Sequence, residues 1–280
     1  MVPPGVVTSQ TLVGEDAHMT SIGFLGVGTI SEAVVRAMCA RPGRADRILL
    51  SPRSAERSQS LAEEFDQCVV METNQEVIDH SDIVVLGMRP QQLDEAVAAL
   101  EFRHDQVIAS FIAGTPPSGL APLVAPAATI CQLIPLPPIT LHRGPLVVCP
   151  GVPEVLAAFD GLGDLIVLDD EARIRVLSCA SAIMSTYFEL QNHVIDWITD
   201  HGIDEAIASR YIRSELDGLA AVGQVTPDSQ RRDLPGDFQT KGGLNERVRA
   251  VLLDQGWFDA LPGELTEIYD NAVLRTPGGQ

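Results

Sequence analysis

The residues whose types and spacing point to chemistry lie near the start of the chain, in Ser21-Ile22-Gly23-Phe24-Leu25-Gly26-Val27-Gly28-Thr29-Ile30-Ser31. A short apolar run ends in a Gly-x-Gly-x-x-Ser turn and passes at once into the helix-like segment 33–38. Strand, glycine turn and helix in this order make an anion site. One glycine permits the tight turn, the next lets the backbone approach a pyrophosphate, and the free N–H groups of the helix start face the anion. Gly26 and Gly28 take the two glycine roles. Ser31 stands where a third small residue lets helix and strand pack closely.

A dinucleotide site for NAD places Asp or Glu at the end of the second strand, on the ribose 2′-hydroxyl. Here that place reads Ser51-Pro52-Arg53-Ser54, with Arg57 one turn on and no acid. A 2′-phosphate carries about −1.5 to −2 charges near neutral pH, so a carboxylate would repel it. Hydroxyls and a guanidinium fork hold it instead. The expected cofactor is therefore NADP(H), with Ser51 and Arg53 at its 2′-phosphate.

Further elements must position these residues. Apolar runs at 22–25, 47–51, 68–70, 83–88, 107–112, 129–134, 146–148 and 165–168 alternate with helical patterns at 29–40, 54–65, 75–80, 90–100 and 153–162. Uncharged runs too short for a helix suit strands covered on both faces. The alternation predicts an α/β Rossmann-type, doubly wound, mostly parallel sheet. After Asp169-Asp170-Glu171 the texture changes and only helical patterns follow, which predicts an all-α domain. The expected organisation is a flexible N-terminal extension (1–18), a Rossmann domain (19–168) and a helical domain (169–280). Within the latter, 176–188 carries no charged side chain, and Ile183, Tyr187 and Leu190 share a helix face. A helix apolar nearly all round must be buried on every side, which predicts a homodimer or higher homo-oligomer built on the helical domain.

Composition removes other classes. A formal net charge of −19 over 280 residues leaves nothing to neutralise a run of phosphates, so no nucleic-acid partner is expected. No apolar run reaches the length of a membrane span, so no membrane partner is expected. Five cysteines without a C-x-x-C pair predict reduced thiols and a cytoplasmic location. The six histidines lack metal-ligand spacing, so no metal is expected.

These segments resemble the pyrroline-5-carboxylate reductases. The stretch 22–33 looks like the start of that family. So do Ser51-Pro52-Arg53-Ser54-Ala55-Glu56-Arg57, the strand ending Met88-Arg89-Pro90-Gln91, and Ser110-Phe111-Ile112-Ala113-Gly114. Asp170-Glu171, Asp233-Leu234 leading to Thr240-Lys241-Gly242-Gly243, and Gly256-Trp257-Phe258 continue the likeness, in order, over about residues 20–272. The resemblance implies an NADPH-dependent reductase of a C=N bond in a small cyclic imine, with a Rossmann domain and a helical domain that dimerises. By the same resemblance Gly26, Gly28, Thr29 and Ile30 would cradle the pyrophosphate. Ser51 and Arg53 would hold the 2′-phosphate, and Asn74 and Met88 the adenosine side. Arg89 and Pro90 would lie near the ribose leading to nicotinamide, and Ala113 and Gly114 beside the nicotinamide half.

Three departures fall on the substrate side. Ile134-Pro135-Leu136-Pro137-Pro138 replaces Met-Pro-Asn-Thr-Pro. Ser181-Ala182-Ile183-Met184-Ser185-Thr186-Tyr187 replaces a Ser-Gly-Ser-Gly-Pro-Ala-Tyr helix start. Thr240-Lys241-Gly242-Gly243-Leu244-Asn245 replaces Ser-Pro-Gly-Gly-Thr-Thr, where threonines would hold a substrate carboxylate. The expectation is a kept NADPH site with an altered substrate. Thr240, Lys241 and Asn245 then become the candidate catalytic residues: Lys241 to add charge or a proton, Asn245 to hydrogen-bond a carbonyl or imine. Two other readings stay open. One is a nucleotide-binding protein that has lost catalysis. The other is a 3-hydroxyacid-type dehydrogenase, imitated by the Lys241-x-x-x-Asn245 spacing.

Overall fold

The computed structural model describes residues 20–41 and 47–271. The expected extension 1–18 lies outside the described residues. The chain divides into two compact units between Glu171 and Ala172.

The first unit alternates strands and helices. In chain order they are β1 (Ser21–Leu25), α1 (Thr29–Cys39), β2 (Arg47–Leu50), α2 (Ala55–Glu64), β3 (Cys68–Val70), α3 (Asn74–Asp79) and β4 (Ile83–Leu86). There follow α4 (Leu93–Val97), β5 (Val107–Ser110), α5 (Pro117–Leu120), β6 (Thr129–Pro135), β7 (Pro145–Cys149), α6 (Pro153–Phe159) and β8 (Asp164–Val167). The strands form one eight-stranded sheet in the order β3-β2-β1-β4-β5-β6-β7-β8. Only β6 and β7 pair antiparallel. The expected Rossmann-type, doubly wound architecture is the observed one. The antiparallel step needs no crossover helix, which is why β7 follows β6 after only the short 3-10 turn Pro137–Leu141.

Period-2 alternation sorts the side chains onto two faces. Ile22, Phe24, Ile48, Leu50, Ile83 and Val85 join one core with α1, α2 and α6. Leu25, Leu49, Val84, Leu86 and Ile108 join the other with α3, α4 and α5. Both faces are dry, which explains the uncharged strands of this half. At Gly23 an added Cβ would lie 2.2 Å from Ser81 Oγ and 2.6 Å from Val77 Cγ1, so α3 rests directly on the backbone of β1.

The second unit is helical: α7 (Glu171–Ala180, its first residue still in the first unit), α8 (Ile183–Asp200), α9 (Glu205–Val225), α10 (Leu234–Asp237), α11 (Leu244–Asp254) and α12 (Trp257–Asn271). The uncharged segment 176–188 is not one helix, because α7 ends at Ala180 and α8 starts at Ile183. Within the single chain it is not buried: Val176 is 51% exposed, Ile183 46% and Phe188 58%. The fully buried core of α8 and α9 consists of Ile195, Ala208 and Ile212, with Val194, Ile198 and Leu216 partly buried around it. No helix among the described residues is long and apolar enough to cross a membrane.

The Gly23 contact yields a direct test. Ser81 is buried and donates its hydroxyl to Val77 O over 2.6 Å, so it cannot swing aside. Gly23→Ala should lose about 1–3 kcal/mol of stability through overpacking. Urea unfolding followed by circular dichroism reads this loss.

Candidate functional site: a cavity at the sheet's switch point

In a parallel sheet every strand ends on the same edge, and strand order reverses direction between β1 and β4. There the crossover helices leave to opposite faces and a crevice opens outside the strand ends. The glycine turn after β1 sits at this point.

The turn is fastened to β2. Gly26 has φ +92°, the left-handed region that glycine tolerates. Its N–H donates to Ser51 Oγ over 3.0 Å. Ser51 in turn donates its own N–H to Phe24 O over 3.0 Å, and its carbonyl accepts from Ser58 Oγ over 2.8 Å. With Ser51 only 1% exposed, its hydroxyl oxygen serves the turn. The Gly26 amide is equally committed, so Gly26 contributes conformation rather than a donor. The amides of Thr29 and Ile30 precede the first intrahelical bond, Glu32 N–H to Gly28 O, and no side chain caps this end of α1. These are the N–H groups available to an anion.

Three small residues let the turn close. A Cβ at Gly87, just past β4, would stand 2.1 Å from Ser31 Oγ and 2.6 Å from Gly26 O. The Gly26 and Gly87 backbones and the Ser31 side chain therefore meet without room for one more carbon. Ser31 is fully buried and its Oγ lacks a hydrogen-bond partner among the described residues, so its smallness rather than its hydroxyl is what the site uses. Gly28 is different. Its φ of −80° is ordinary, and a Cβ there would meet only Gly87 O, at 3.7 Å. The protein itself does not need a glycine at 28; the position leaves space for something else.

Around the turn lies a cavity of about 290 Å³. It is lined by Gly26, Gly28, Ser51, Arg53, Asn74, Met88 and Arg89, all anticipated from sequence. Leu25, Ser54, Gly87, Gln92 and Ala96 also line it. Of these, Gly87 was legible as the glycine ending the apolar run of β4; Gln92 and Ala96 carry no sequence signal, since only the fold of 87–97 brings them there. Thr29, Ile30 and Pro90 adjoin the lining in sequence but are not part of it. The lining holds two arginines and no carboxylate, on a chain of net charge −19. Arg53 takes part in no ion pair among the described residues. Arg57 does, with Glu32 at 3.4 Å, and Glu32 also pairs with Arg36. Asn74 Oδ1 is buried without a hydrogen-bond partner among the described residues, an acceptor waiting for a donor.

Ala113 and Gly114 lie past the end of β5, on the same sheet edge as the cavity and outside its lining. Both are exposed, and Gly114 has φ +73°.

The second candidate cluster belongs to the second unit. Thr240 to Gly243 lead into α11, with Gly242 at φ +73° and Gly243 as N-cap. Thr240 O accepts from Gly243 N–H over 2.8 Å. Asn245 Nδ2 donates to Phe238 O over 2.7 Å, and Gly242 N–H donates to the Glu246 carboxylate. Asn245 thus braces the loop through its amide nitrogen, while Thr240, Lys241 and Leu244 are exposed. The Gly242 amide, which could otherwise face an anion, already serves the chain's own carboxylate. Among the described residues no group of His, Cys, Asp and Glu could hold a metal ion.

Sheet order, glycine turn and cavity define the fold of an NAD(P)-dependent reductase. The family model described as NADP oxidoreductase, coenzyme F420-dependent, matches residues 21–114. The chain is 28% identical to pyrroline-5-carboxylate reductase of Pseudomonas aeruginosa over 214 residues, which cover 72% of this chain and 76% of that one. Among solved structures it is similar to 1-pyrroline-5-carboxylate reductase from Streptococcus pyogenes, with TM-score 0.78 and 20% identity over 90% of this chain and 97% of the other. It is also similar to the Plasmodium falciparum pyrroline carboxylate reductase with NADP bound, with TM-score 0.77 and 15% identity over 90% and 96%. Together these matches make the chain similar in sequence, and alike in fold, to pyrroline-5-carboxylate reductases.

The two glycines of the turn separate folding from binding. Gly26→Ala forces an L-residue to φ +92° and sets its Cβ 3.1 Å from the Gly87 carbonyl, so it should lower stability. Gly28→Ala should melt with the wild type yet bind nucleotide at least tenfold more weakly, a loss of about 1.4 kcal/mol. Paired thermal melts and fluorescence titrations with NADPH check both outcomes.

Proposed function

We propose that this protein is an NADPH-dependent oxidoreductase that reduces the C=N bond of a small cyclic imine. The observation that carries the reading is the acid-free cavity at the β1/β4 switch point, with Arg53 at its wall and Gly28 leaving it open. The residues present fit a phosphorylated dinucleotide. The Thr29 and Ile30 amides suit a pyrophosphate, and Arg53 with Ser54 suits a 2′-phosphate. Buried Asn74 Oδ1 suits a hydroxyl or amine donor on the adenosine side beside Met88. Arg89, Pro90, Ala113 and Gly114, at the ends of β4 and β5, suit the half carrying nicotinamide. When bound, the nicotinamide supplies a hydride.

The chain's own part is modest because a protonated imine carbon is already electrophilic. Positioning and water exclusion lower such a barrier by about 7–11 kcal/mol without a strong acid or base. We assign substrate contact to the loop of Thr240, Lys241 and Asn245. Lys241 is the exposed cation that can hold a proton near an imine nitrogen, and Asn245 keeps the loop's shape. Leu244 and the Glu246 carboxylate on the Gly242 amide make this loop a poor receptor for an anionic group, in line with an altered substrate. NADPH binding without turnover on a panel of cyclic imines would instead identify a nucleotide-binding protein that has lost catalysis.

The helical unit supports a homodimer. So few buried apolar side chains, Ile174, Ile195, Ala208 and Ile212 among the described residues, are a small core for six helices, and large apolar side chains stand open. Trp197 is 61% exposed, Ile207 62%, Tyr211 63% and Val248 62%. Trp257 is 43% exposed. A second copy of the chain would bury these surfaces. The free state of all five cysteines fits a reducing cytoplasm.

Two measurements test this reading. Arg53→Ala should weaken NADPH binding by about 1.5–3 kcal/mol, the range of a hydrogen bond to a charged group, and leave NADH nearly unchanged. Equal losses for both cofactors would remove Arg53 from the 2′-phosphate. Light scattering on the eluting protein should give about twice the 30.0 kDa chain mass, and a clean monomer would reject the dimer.

A further inference from the structure

The end of α1 and the start of the sheet's edge strand bring two thiols together. Cys39, the last residue of α1, and Cys68, the first of β3, place their Sγ atoms 3.6 Å apart and share a hydrogen bond. Cys68 is buried, 5% exposed, whereas Cys39 is partly exposed. Twenty-eight residues separate them in sequence, so the contact belongs to the tertiary fold. The remaining thiols are differently placed. Cys131 is fully buried with its pKa pushed up to about 12 by burial, and Cys149 is also buried and raised.

We propose that Cys39 and Cys68 form a peroxide-reactive dithiol, a modification site that closes to an intramolecular disulfide and reopens with a thiol reductant. The asymmetry of the pair assigns the roles. The hydrogen bond from Cys68 is the main influence holding the Cys39 thiol below its ordinary range, with Arg36 and Arg41 assisting against burial and Glu64. The same hydrogen bond, burial and the Cys39 charge push Cys68 up. Cys39 is thus the nucleophile, since the thiolate is the reactive form.

The Cys39 thiolate attacks one oxygen of hydrogen peroxide and the O–O bond breaks. Hydroxide leaves and takes up a proton as water, and Cys39 becomes a sulfenic acid. With the Cys39 charge gone, Cys68 loses that part of what kept its proton on; burial and Glu64 still hold the proton, and Arg36 opposes them. Cys68 sulfur then attacks the sulfenic sulfur; an S–S bond forms, the S–O bond breaks, and the hydroxyl leaves with the Cys68 proton as a second water. Two thiols are oxidised by two electrons in all, and one peroxide is reduced to two waters. Closing from 3.6 Å to a bond of about 2.05 Å asks for side-chain rotation and a small shift of one backbone end. Both ends suit that: one is a helix terminus, and the other opens a three-residue strand at the edge of the sheet.

The test uses the full-length protein, reduced and desalted, then treated with equimolar hydrogen peroxide, unfolded and alkylated with N-ethylmaleimide. The expected product is a monomeric chain two hydrogens lighter, with two fewer adducts than its five cysteines allow. Peptide mapping should find a Cys39–Cys68 cross-link, and dithiothreitol should restore every adduct. Cys39→Ser should leave Cys68 fully alkylated, while Cys68→Ser should carry Cys39 to a sulfenic acid that dimedone traps. The proposal is overturned if the wild type keeps all its thiols under conditions that oxidise the Cys68→Ser variant. A cross-link through any other cysteine, or dimedone labelling in neither variant nor wild type, overturns it as well. None of these readouts depends on nucleotide binding or turnover.

Discussion

The close approach of the Gly26 and Gly87 backbones and the Ser31 side chain is the constraint on which the rest of the candidate site depends. A single added carbon at Gly87 would fall within 2.1 Å of Ser31 Oγ and 2.6 Å of Gly26 O. That closeness sets the start of α1 directly outside the gap between β1 and β4, where the sheet's connections diverge. The Ser51 hydroxyl then pins the Gly26 amide from the neighbouring strand. Three strand ends are thereby locked into one rigid rim. A binding site assembled on strand ends in this way needs little reorganisation, and preorganisation spares the ordering cost that loops incur.

Electrostatics separate this rim from the rest of the molecule. The chain carries a large negative charge, which repels phosphates over most of its surface. Yet the cavity lining holds Arg53 and Arg89 without a carboxylate, and the nearby acid, Glu32, is held by Arg36 and Arg57. Neutralising Glu32 in this way removes the one repulsive charge in the first turn of α1. Arg36, here with Arg41 and Glu64, also shapes the surroundings of Cys39 at the opposite end of α1, so one helix carries an uncapped start and a thiol-bearing end.

The front unit was largely legible before any coordinates. Runs such as Ile83-Val84-Val85-Leu86, with no polar side chain, have few solutions other than a strand covered on both faces, and alternation then assigns each residue to a face. Several residues of the cavity lining were legible because they cluster at strand ends within a few positions of a glycine or proline. The helical unit resisted that reading. The uncharged segment 176–188 had the composition of a buried helix, but a break at Ser181–Ala182 divides it, and its large side chains stand exposed in the single chain. Periodicity reports which face is apolar and is silent about what covers it.

The sequence by itself determined the order of strands and helices, the glycine turn and the absence of an acid after β2. These are local properties, written in neighbouring residues and in backbone geometry that only certain residue types tolerate. Only the tertiary structure decided that Ser51 and the Gly26 amide spend themselves on each other, that Gly87 rather than Ser31 alone makes the turn fit, and that Asn245 and Glu246 close their own loop. It alone placed Cys39 against Cys68. Each of these is a contact between segments far apart in the chain, set by packing and by which donor reaches which acceptor, and no pattern within a single segment encodes it.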